Sequence, residues 1–489
     1  MNTSSAYSAN AANRALGEAA TSSRWKVLLV TSLGVFMVSV DATIVNVAFP
    51  TLQKAFPGTT RLDLSWVLNA YSIVFAALLV SAGRAADLVG RRRVFFFGLN
   101  LFTAASALCG LAPSASLLIA ARALQAIGAA ALIPASLALL LPAFDLSRRS
   151  TVVGVWGAVA AIASALGPLL GSLLVQFASW RWAFLLNLPI GLLAWQWGRK
   201  VLHESRDTQA VHRPDWLGAL AAVATVGLFA LWIIQGAAFA SSEPHRAGAL
   251  AGVLVLLPFL LWRCAYHPSP VLDLTLFRVR SFAIANLATV LFSAAFFAAL
   301  LGYVLFLASV WRYSSLMVGL AITPTPLIAT VVAIPAGMAA DRFGHRVVVI
   351  PGTVVFATGA VLLMALAGSE VAYISHWLPA SLLMGAGVGM AFPTLASASA
   401  CALPPPRFAV GSAINVTSRQ LGAVVGVAVF IVLLSRSGSP ASAASGFHSG
   451  WIFMAAAALV AGLVSVFLGA AAPEEPKEEA ASRITLERV

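Results

Sequence analysis

One carboxylate lies deep inside an apolar stretch of the sequence. Asp41 is the only Asp or Glu well inside any long hydrophobic run, and it stands within residues 27 to 49. An unpaired ionised acid there is costly if the run crosses a membrane, so such residues generally line a cavity or take part in ion coupling. Asp41 is therefore the first candidate for chemistry in this chain.

An arginine in another apolar run lies at nearly the same depth. If both runs are helices, Asp41 lies roughly 13 Å from the end at Pro50 and Arg122 roughly 9 Å into its own helix, at 1.5 Å per residue. Burial favours the neutral form of a carboxyl group, whereas a nearby guanidinium favours the charged form. A change in separation or hydration would then let Asp41 take up and release a proton. The alternative is a static buried ion pair that locks two helices together.

A second arginine lies deep in the second half of the sequence. Arg419 stands near the middle of residues 408 to 435, and no apolar run of the second half contains a carboxylate to neutralise it. It must find carbonyl groups, water or a substrate, and substrate contact and helix organisation are both open. Aromatic residues of the run 282 to 309 could form one wall of a substrate cavity, although plain packing is the better interpretation for most of them. The predicted substrate cavity comprises Asn46, Trp66, Asn69, Gln125, Phe296, Tyr303 and Arg419.

A ten-residue motif occurs twice, each time between two apolar runs. GRAADLVGRR spans Gly83 to Arg92, GMAADRFGHR spans Gly337 to Arg346, and six of the ten positions match. Glycine permits a chain reversal that a Cβ would hinder, and a carboxylate beside arginines can pair with them or with a helix N-terminus. These turns predict a latch that is made and broken, with the members Gly83, Asp87, Gly90, Arg91, Arg92, Asp341, Gly344 and Arg346.

The elements that carry these residues are predicted to be membrane helices. The chain has 489 residues, of which 60% are hydrophobic and 10% charged, a composition that a water-soluble domain cannot accommodate. Runs of about 20 apolar residues are long enough to cross a bilayer as helices. Fourteen such spans are predicted, near residues 27 to 49, 65 to 82, 94 to 111, 116 to 140, 151 to 177, 182 to 198, 215 to 236, 247 to 265, 282 to 309, 316 to 340, 347 to 368, 377 to 400, 408 to 435 and 449 to 471.

The basic residues predict the orientation of these spans. Most of the 30 Lys and Arg fall in connections on one side, and the positive-inside rule makes that side cytoplasmic, with both termini there. The positive-inside rule alone could also explain the arginines from Arg91 to Arg93, since they would keep their loop on the cytoplasmic side without forming a latch. The net charge of +13 indicates topology and lipid headgroups rather than nucleic acid.

The repeated motif predicts two related halves. The motif follows the second and the tenth spans, an offset of eight, where a simple doubling of six would give an offset of six, so two spans have been inserted. The predicted division is a polar N-terminal tail at 1–26, a six-helix bundle at 27–198, a linker with two extra membrane helices at 199–281, a second six-helix bundle at 282–471 and a cytoplasmic tail at 472–489.

Several function classes lack their motifs. None of the four lysines follows a glycine, so the phosphate-binding motif that ends in Gly-Lys is missing and ATP does not power this chain directly. All seven His fall in loops or at span ends and no G-x-S-x-G occurs, so an enzyme is disfavoured. Three widely separated Cys indicate neither a metal site nor a disulfide framework.

Six stretches together resemble a known family. The turn at Gly83 to Arg92 resembles the loop signature of the major facilitator superfamily, and five others resemble its fourteen-helix drug:proton antiporter branch. These are DATIVNVAFP with WVLNAY (Asp41 to Pro50, Trp66 to Tyr71), RALQAIGAA (Arg122 to Ala130), SALGPLLGS (Ser164 to Ser172) and SWRWAFLLNLPIG (Ser179 to Gly191). Ser172 departs from the antiporter motif, which usually has a second Gly, and Met338 departs from Arg84 of the first turn.

The same resemblance gives a small-residue stripe its functional interpretation. Residues 157, 161, 164, 168 and 171 are small and recur at intervals of four and three, so another helix can approach closely. Ordinary tight packing explains the stripe equally well, and the resemblance alone implies a gate against leakage. The predicted gate comprises Gly157, Gly167, Pro168 and Gly171.

The resemblance implies an all-α polytopic major facilitator fold of two six-helix bundles plus two inserted helices. It implies a proton-coupled exporter of lipophilic small molecules, most simply for multidrug efflux. Alternatives are a dedicated exporter of one metabolite, antibiotic or lipid-like compound, and a transport-inactive sensor. Expected partners are a small-molecule substrate, protons and the lipid bilayer, with no cofactor beyond the proton gradient. The expected location is the bacterial cytoplasmic membrane, and the expected functional unit is a monomer.

Overall fold

The structure is a computed structural model that describes residues 3–145, 149–206, 213–235, 243–403, 407–435 and 443–469. The predicted cytoplasmic tail at 472–489 lies outside these residues. The described chain is helical and contains no strand. Its α-helices are α1 Thr3–Ala55, α2 Arg61–Leu64, α3 Trp66–Val89, α4 Arg91–Leu111, α5 Ala115–Leu140, α6 Arg149–Phe177, α7 Trp182–Leu185, α8 Asn187–Val201, α9 Trp216–Gln235, α10 Glu243–Tyr266, α11 Arg280–Ser309, α12 Ser315–Ile322, α13 Pro324–Phe343, α14 His345–Leu366, α15 Leu378–Cys401, α16 Phe408–Ser435 and α17 Ala443–Ser465.

Thirteen stretches of the described helices are long and apolar enough to cross a membrane. In α1 this stretch is Arg24–Ala55, although the helix itself starts at Thr3, within the predicted polar tail. The pairs α2–α3 and α12–α13 each form one span. The predicted span at 182–198 is not among the thirteen: its residues form the short helix α7 and α8, which has only 15 residues. The prediction of an all-α polytopic membrane protein is confirmed.

The helices fall into two halves that repeat the same neighbours. In the first half α1 packs on α6, α4 on α5, and α3 on α5. In the second half the corresponding pairs are α11 with α16, α14 with α15, and α13 with α15. This repeated arrangement is what a duplicated six-helix unit produces.

Two seams join the halves, and the inserted helices lie over one of them. Along one seam α3 packs on α16, and along the other α6 packs on α12. Helix α9 contacts both α3 and α16, while α10 packs against α9. An ion pair between Asp215 and Arg263, 2.6 Å from Oδ1 to Nε, ties α9 to α10.

The halves are packed together most extensively at one end. We call the end that carries the turns at Gly90 and Gly344 the motif end, and the other the opposite end. One hydrophobic core extends through both halves toward the opposite end and includes Phe49 of α1 and Val304 of α11. A second core lies in the first half, nearer the motif end. Among the described residues, the second half contributes to this core only Ala413 and Val416 of α16, both partly buried. Contact between the halves is therefore weaker at the motif end.

Candidate functional site

Asp41 and Arg122 form a buried ion pair between α1 and α5. Their exposed fractions are 0% and 1%, and Nη1 of Arg122 lies 2.5 Å from Oδ2 of Asp41. The regular rise of an α-helix predicted both residues at similar depth, and the structure brings the two side chains into contact. A charge so deeply buried needs both a counter-charge and hydrogen bonds, because desolvation alone costs several kcal/mol per ion.

The second oxygen of Asp41 accepts hydrogen bonds from two side-chain amides. Nε2 of Gln125 lies 2.8 Å from Oδ1, and Nδ2 of Asn187 lies 3.1 Å from it. Both amides also donate to Oγ of Ser106, over 2.7 and 3.2 Å respectively. Helices α1, α4, α5 and α8 thus converge on one carboxylate, and neither of its oxygens is left without a donor.

The guanidinium of Arg122 is fixed from several directions. Its Nη1 donates to Oε1 of Gln125 over 2.6 Å, and its Nε donates to the carbonyl of Val67 on α3 over 3.1 Å. Its centre lies 4.1 Å above the ring of Tyr71, a cation–π contact. Five helices therefore hold this pair. We call Asp41, Ser106, Arg122, Gln125 and Asn187 the carboxylate network.

Three members of this environment were missed from the sequence, and one was misplaced. Ser106, Asn187 and Tyr71 were not predicted as site residues, although Asn187 and Tyr71 lie in motif stretches. Gln125 was predicted in the substrate cavity, but it is fully buried in the carboxylate network. Gln125 lies three residues after Arg122, on the same face of the helix, and this spacing could have predicted that the two side chains belong to one network.

A small cavity lies beside the network, between the two halves. Its volume is about 20 Å³. Because such a volume holds about one water and drug-sized ligands occupy roughly 300 to 1,000 Å³, the halves must separate before a drug can bind here. The first half contributes Ala42, Asn46, Leu68, Asn69, Tyr71, Ser72 and Arg122, and the second contributes Phe297, Gln420, Ala423 and Val427.

Other residues predicted for the cavity lie elsewhere. Trp66 packs with Val424 and α9 in the covered seam. Tyr303 lies in the second-half core, where its hydroxyl contacts Sδ of Met384 at 2.8 Å and its ring contacts Trp377. Phe296 is half-buried and packs on the rings of Phe297 and Phe392. In this structure Trp66 and Tyr303 thus lie outside the cavity between the halves, and their place in a substrate cavity stays a prediction.

Arg419 is exposed although it lies midway along α16. Its neighbour Ser418 is buried and donates to Oδ1 of Asn286 over 3.2 Å. Within the described part of the chain, Arg419 itself has no hydrogen bond and no ion pair. Among these residues it is a free cation between membrane helices.

The two repeated turns have the predicted backbone but different contacts. Gly90 and Gly344 have φ of 126° and 91°, values that favour glycine. Asp87 accepts from Nε and Nη2 of Arg91 over 3.1 and 3.0 Å. Asp341 is exposed and forms no ion pair among the described residues.

The first turn is also held by a residue that the sequence did not predict. Glu204, just after α8, accepts from the backbone nitrogen of Arg92 over 3.1 Å and lies 3.7 Å from Nε of Arg93. The hydrogen bonds and ion pairs described for the first turn thus join it to itself, to the end of α8 and to the segment just after α8.

The remaining latch candidates make no such contact in the described part of the chain: Gly83 faces Pro134 of α5, and Arg346 is exposed.

The small residues of α6 face several directions rather than one partner. A Cβ at Gly171 would lie 3.1 Å from the carbonyl of Ile44 on α1, and Gly167 faces the same helix. Pro168 and Ser172 instead face Gly319 of α12. A Cβ at Gly157 would meet no other described helix within 4 Å. The prediction of one continuous contact stripe was wrong, because α6 is sandwiched between α1 and α12 only toward the opposite end.

Comparison with known proteins agrees with this architecture. The Major Facilitator Superfamily model matches residues 31–308 and 285–487. The chain is 35% identical over 405 residues to the multidrug resistance protein Stp of Mycobacterium tuberculosis, a match that covers 82% of this chain and 74% of that protein. It is 31% identical to the methylenomycin A resistance protein of Bacillus subtilis, over 93% of this chain and 96% of that protein.

A solved structure shares the fold. An auto-inhibited peptide transporter of the POT family superposes with a TM-score of 0.67 at 18% identity, over 93% of this chain and 98% of the other. Two related halves that enclose a cavity lined from both sides define a membrane carrier. The chain belongs to the Major Facilitator Superfamily, and the relatives compared above are named for drug and antibiotic resistance.

Proposed function

We propose that this protein is a proton-coupled exporter of lipophilic small molecules that acts in multidrug efflux. The observation that carries the proposal is the carboxylate network: one buried acid, bonded to Arg122, Gln125 and Asn187, lies beside a cavity between the halves. Relatives named for resistance to drugs support the substrate class. We further propose a bacterial cytoplasmic membrane location, with the motif end cytoplasmic and a monomer as the functional unit.

In the proposed cycle the proton binds at Asp41. Protonation removes the negative charge that Arg122 faces, so the ion pair weakens and the guanidinium is held by Gln125, the Val67 carbonyl and the rings of Tyr71 and Phe184. Arg122 also lines the cavity, whereas Asp41 does not, so Arg122 connects the cavity directly to the acid. Release of the proton on the other side restores the pair. The proton binds at Asp41 and the substrate in the cavity, so the two do not compete for one carboxylate. Each instead changes the conformation that the other binds.

The turns and α6 have supporting roles in this proposal. The Asp87–Arg91 pair and Glu204 hold the first motif turn as the halves rock. The tight contacts of Gly167 and Gly171 on α1, and of Ser172 on α12, close the opposite end against leakage. Asp341 contributes less, since it has no ion pair among the described residues.

Everted membrane vesicles from an efflux-deficient bacterial host test the proposal. A growth-inhibition panel first identifies exported compounds, and drug-stimulated proton release from the vesicles is then measured with a pH-sensitive dye. Asp41→Asn should abolish this release, because the amide imitates the protonated acid, while the matched change Asp63→Asn at an exposed site should leave it intact. Normal proton exchange in the Asp41 variant would remove Asp41 from the mechanism.

A narrower exporter of one compound is the second candidate. The observation that favours it is Arg419, because a free cation in the substrate path makes the site selective for charge. A growth panel in which protection is confined to one chemical scaffold would support this candidate over multidrug efflux.

A further inference from the structure

The face of α16 that carries Arg419 is directed at the first half of the molecule. Ala423 and Val427 follow Arg419 at intervals of four residues, so the three lie along one side of the helix. Ala423 and Val427 line the cavity between the halves, and Val416 packs on the first-half core. The guanidinium thus lies in the cleft between the halves, on the motif-end side of the cavity, rather than toward lipid.

No carboxylate among the described residues of this cleft neutralises the guanidinium. Asp41 is fully buried, paired with Arg122, and receives two further hydrogen bonds. The neighbours of Arg419 on the α11 side, Asn286 and Asn415, are uncharged amides that bond to each other, and Asn415 also bonds to Thr289. The cleft of the described molecule therefore has a net positive charge close to its cavity.

Arg419 does not line the cavity itself, but the cavity wall supplies further hydrogen-bond donors. Nδ2 of Asn69 is buried without a partner among the described residues of the cavity wall, and its side chain is only 1% exposed. Gln420 lines the same cavity and has no hydrogen bond among the described contacts. A guanidinium has five N–H donors in a planar fork and no acceptor, which suits a carboxylate. Phe297 and Val427 supply apolar surface next to these donors.

We propose that the substrates of this protein are amphiphiles with a carboxylate, and that Arg419 binds this carboxylate while the apolar part of the molecule enters the opened cavity. This inference rests on the proposed export function, since it names the chemical class that the cleft accepts. Arg419 is exposed in the cleft, where water can solvate it, and a bound substrate would supply the counter-charge that the fold omits.

A matched pair of dyes tests the substrate class. Rhodamine 123 is the methyl ester of rhodamine 110, so the two share one scaffold and differ in a free carboxylate. Binding to the purified full-length protein is measured by fluorescence anisotropy without any proton gradient, so failure of proton coupling cannot affect the result. Rhodamine 110 should bind at least about tenfold more tightly than rhodamine 123, as expected for a charge-assisted contact.

Variants at two arginines identify the residue responsible. Arg419→Gln should abolish the difference between the dyes, and Arg419→Lys should retain part of it. Arg407→Gln, which makes the same charge change at an exposed residue just before α16, should keep the full preference. Equal or tighter binding of rhodamine 123 to the wild type, no saturable binding of rhodamine 110, or an unchanged preference in Arg419→Gln would each overturn the proposal.

Discussion

Asn187 on α8 donates a hydrogen bond to Asp41 on α1, with its amide nitrogen 3.1 Å from Oδ1 of the acid. The same amide also reaches Ser106, so one side chain joins three helices of the first half. Asn187 is the first residue of α8, directly after the short helix α7, and it is 1% exposed. Asn187 thus lies at the junction of α7 and α8 and ties that junction to α1 and α4.

We expect Asn187→Ala to weaken this junction. The variant loses a hydrogen bond to a charged group, which is worth about 1.5 to 3 kcal/mol, and leaves Gln125 as the sole described donor to Oδ1. The thermal unfolding temperature in detergent should fall, and export should slow more than binding weakens. For the unfolding temperature, Asn69→Ala is the matched control, because that amide nitrogen has no partner to lose among the described residues. An Asn187 variant with wild-type stability would show that the bond contributes nothing.

A double replacement separates a structural ion pair from a proton site. Arg122→Ala alone leaves Asp41 buried without its cation and should cost about 3 to 5 kcal/mol of folding free energy. Asp41→Asn with Arg122→Gln removes both charges, and the Gln side chain is shorter than that of Arg by two heavy atoms, so stability should return in part while uphill export stays absent. Thermal unfolding and vesicle transport measure the two effects. Uphill transport by the double variant would mean that the pair is only a structural lock.

The two motif turns should respond unequally to the same change. Asp87→Asn removes the partner of Arg91, whereas Asp341→Asn alters an exposed residue with no ion pair in the described structure. We expect the first variant to slow turnover severalfold at nearly constant substrate affinity, and the second to act weakly. Transport rates in proteoliposomes and binding to purified protein give the comparison. Equal slowing in both variants would contradict the asymmetry.

Two glycines of α6 provide a matched test of the packing at the opposite end. A Cβ at Gly167 would meet the side chain of Thr43 and lie 3.2 Å from the carbonyl of Val40, whereas Gly157 has open space. Gly167→Ala should therefore destabilise by about 1 to 3 kcal/mol through overpacking. Gly157→Ala should gain up to about 1 kcal/mol from helix propensity. Unfolding temperatures and passive proton leak in liposomes report both effects, and similar values for the two variants would refute the difference in packing.

The single acid predicts the charge moved in each cycle. One proton in per substrate out makes export of a monocation electroneutral, export of a neutral compound moves one charge inward, and export of a monoanion moves two. Each charge is worth about 2.3 kcal/mol per 100 mV of membrane potential. Collapsing the potential with valinomycin and potassium at constant ΔpH should slow anions most and spare monocations. Strong potential dependence for a monocation would indicate a second proton site, with Asp87 and Asp341 as the next residues to test.

Depth along a helix was predictable from the sequence, and rotation about the helix was not. Asp41 and Arg122 were paired from the rise per residue alone, because that rise is the same in every α-helix. Tyr303 lies in the second-half core rather than on the cavity of this structure. Because α11 is apolar on nearly all sides, the sequence does not mark which side meets the core. Asn187 and Glu204 were missed because their partners lie more than 100 residues away.

The inserted helix α9 makes the two seams of the molecule unequal. It covers the contact between α3 and α16, while no described helix covers the seam between α6 and the α12–α13 pair. Membrane lipid therefore reaches the junction of the halves from one side. For a compound that enters from the bilayer, the first selective step is its partition from water into lipid. Each added methylene makes the free energy of this transfer more favourable by about 0.8 kcal/mol, which raises the concentration of the compound in the lipid about fourfold. The range of substrates is thus set partly by the lipid bilayer, before a compound contacts any side chain of the protein.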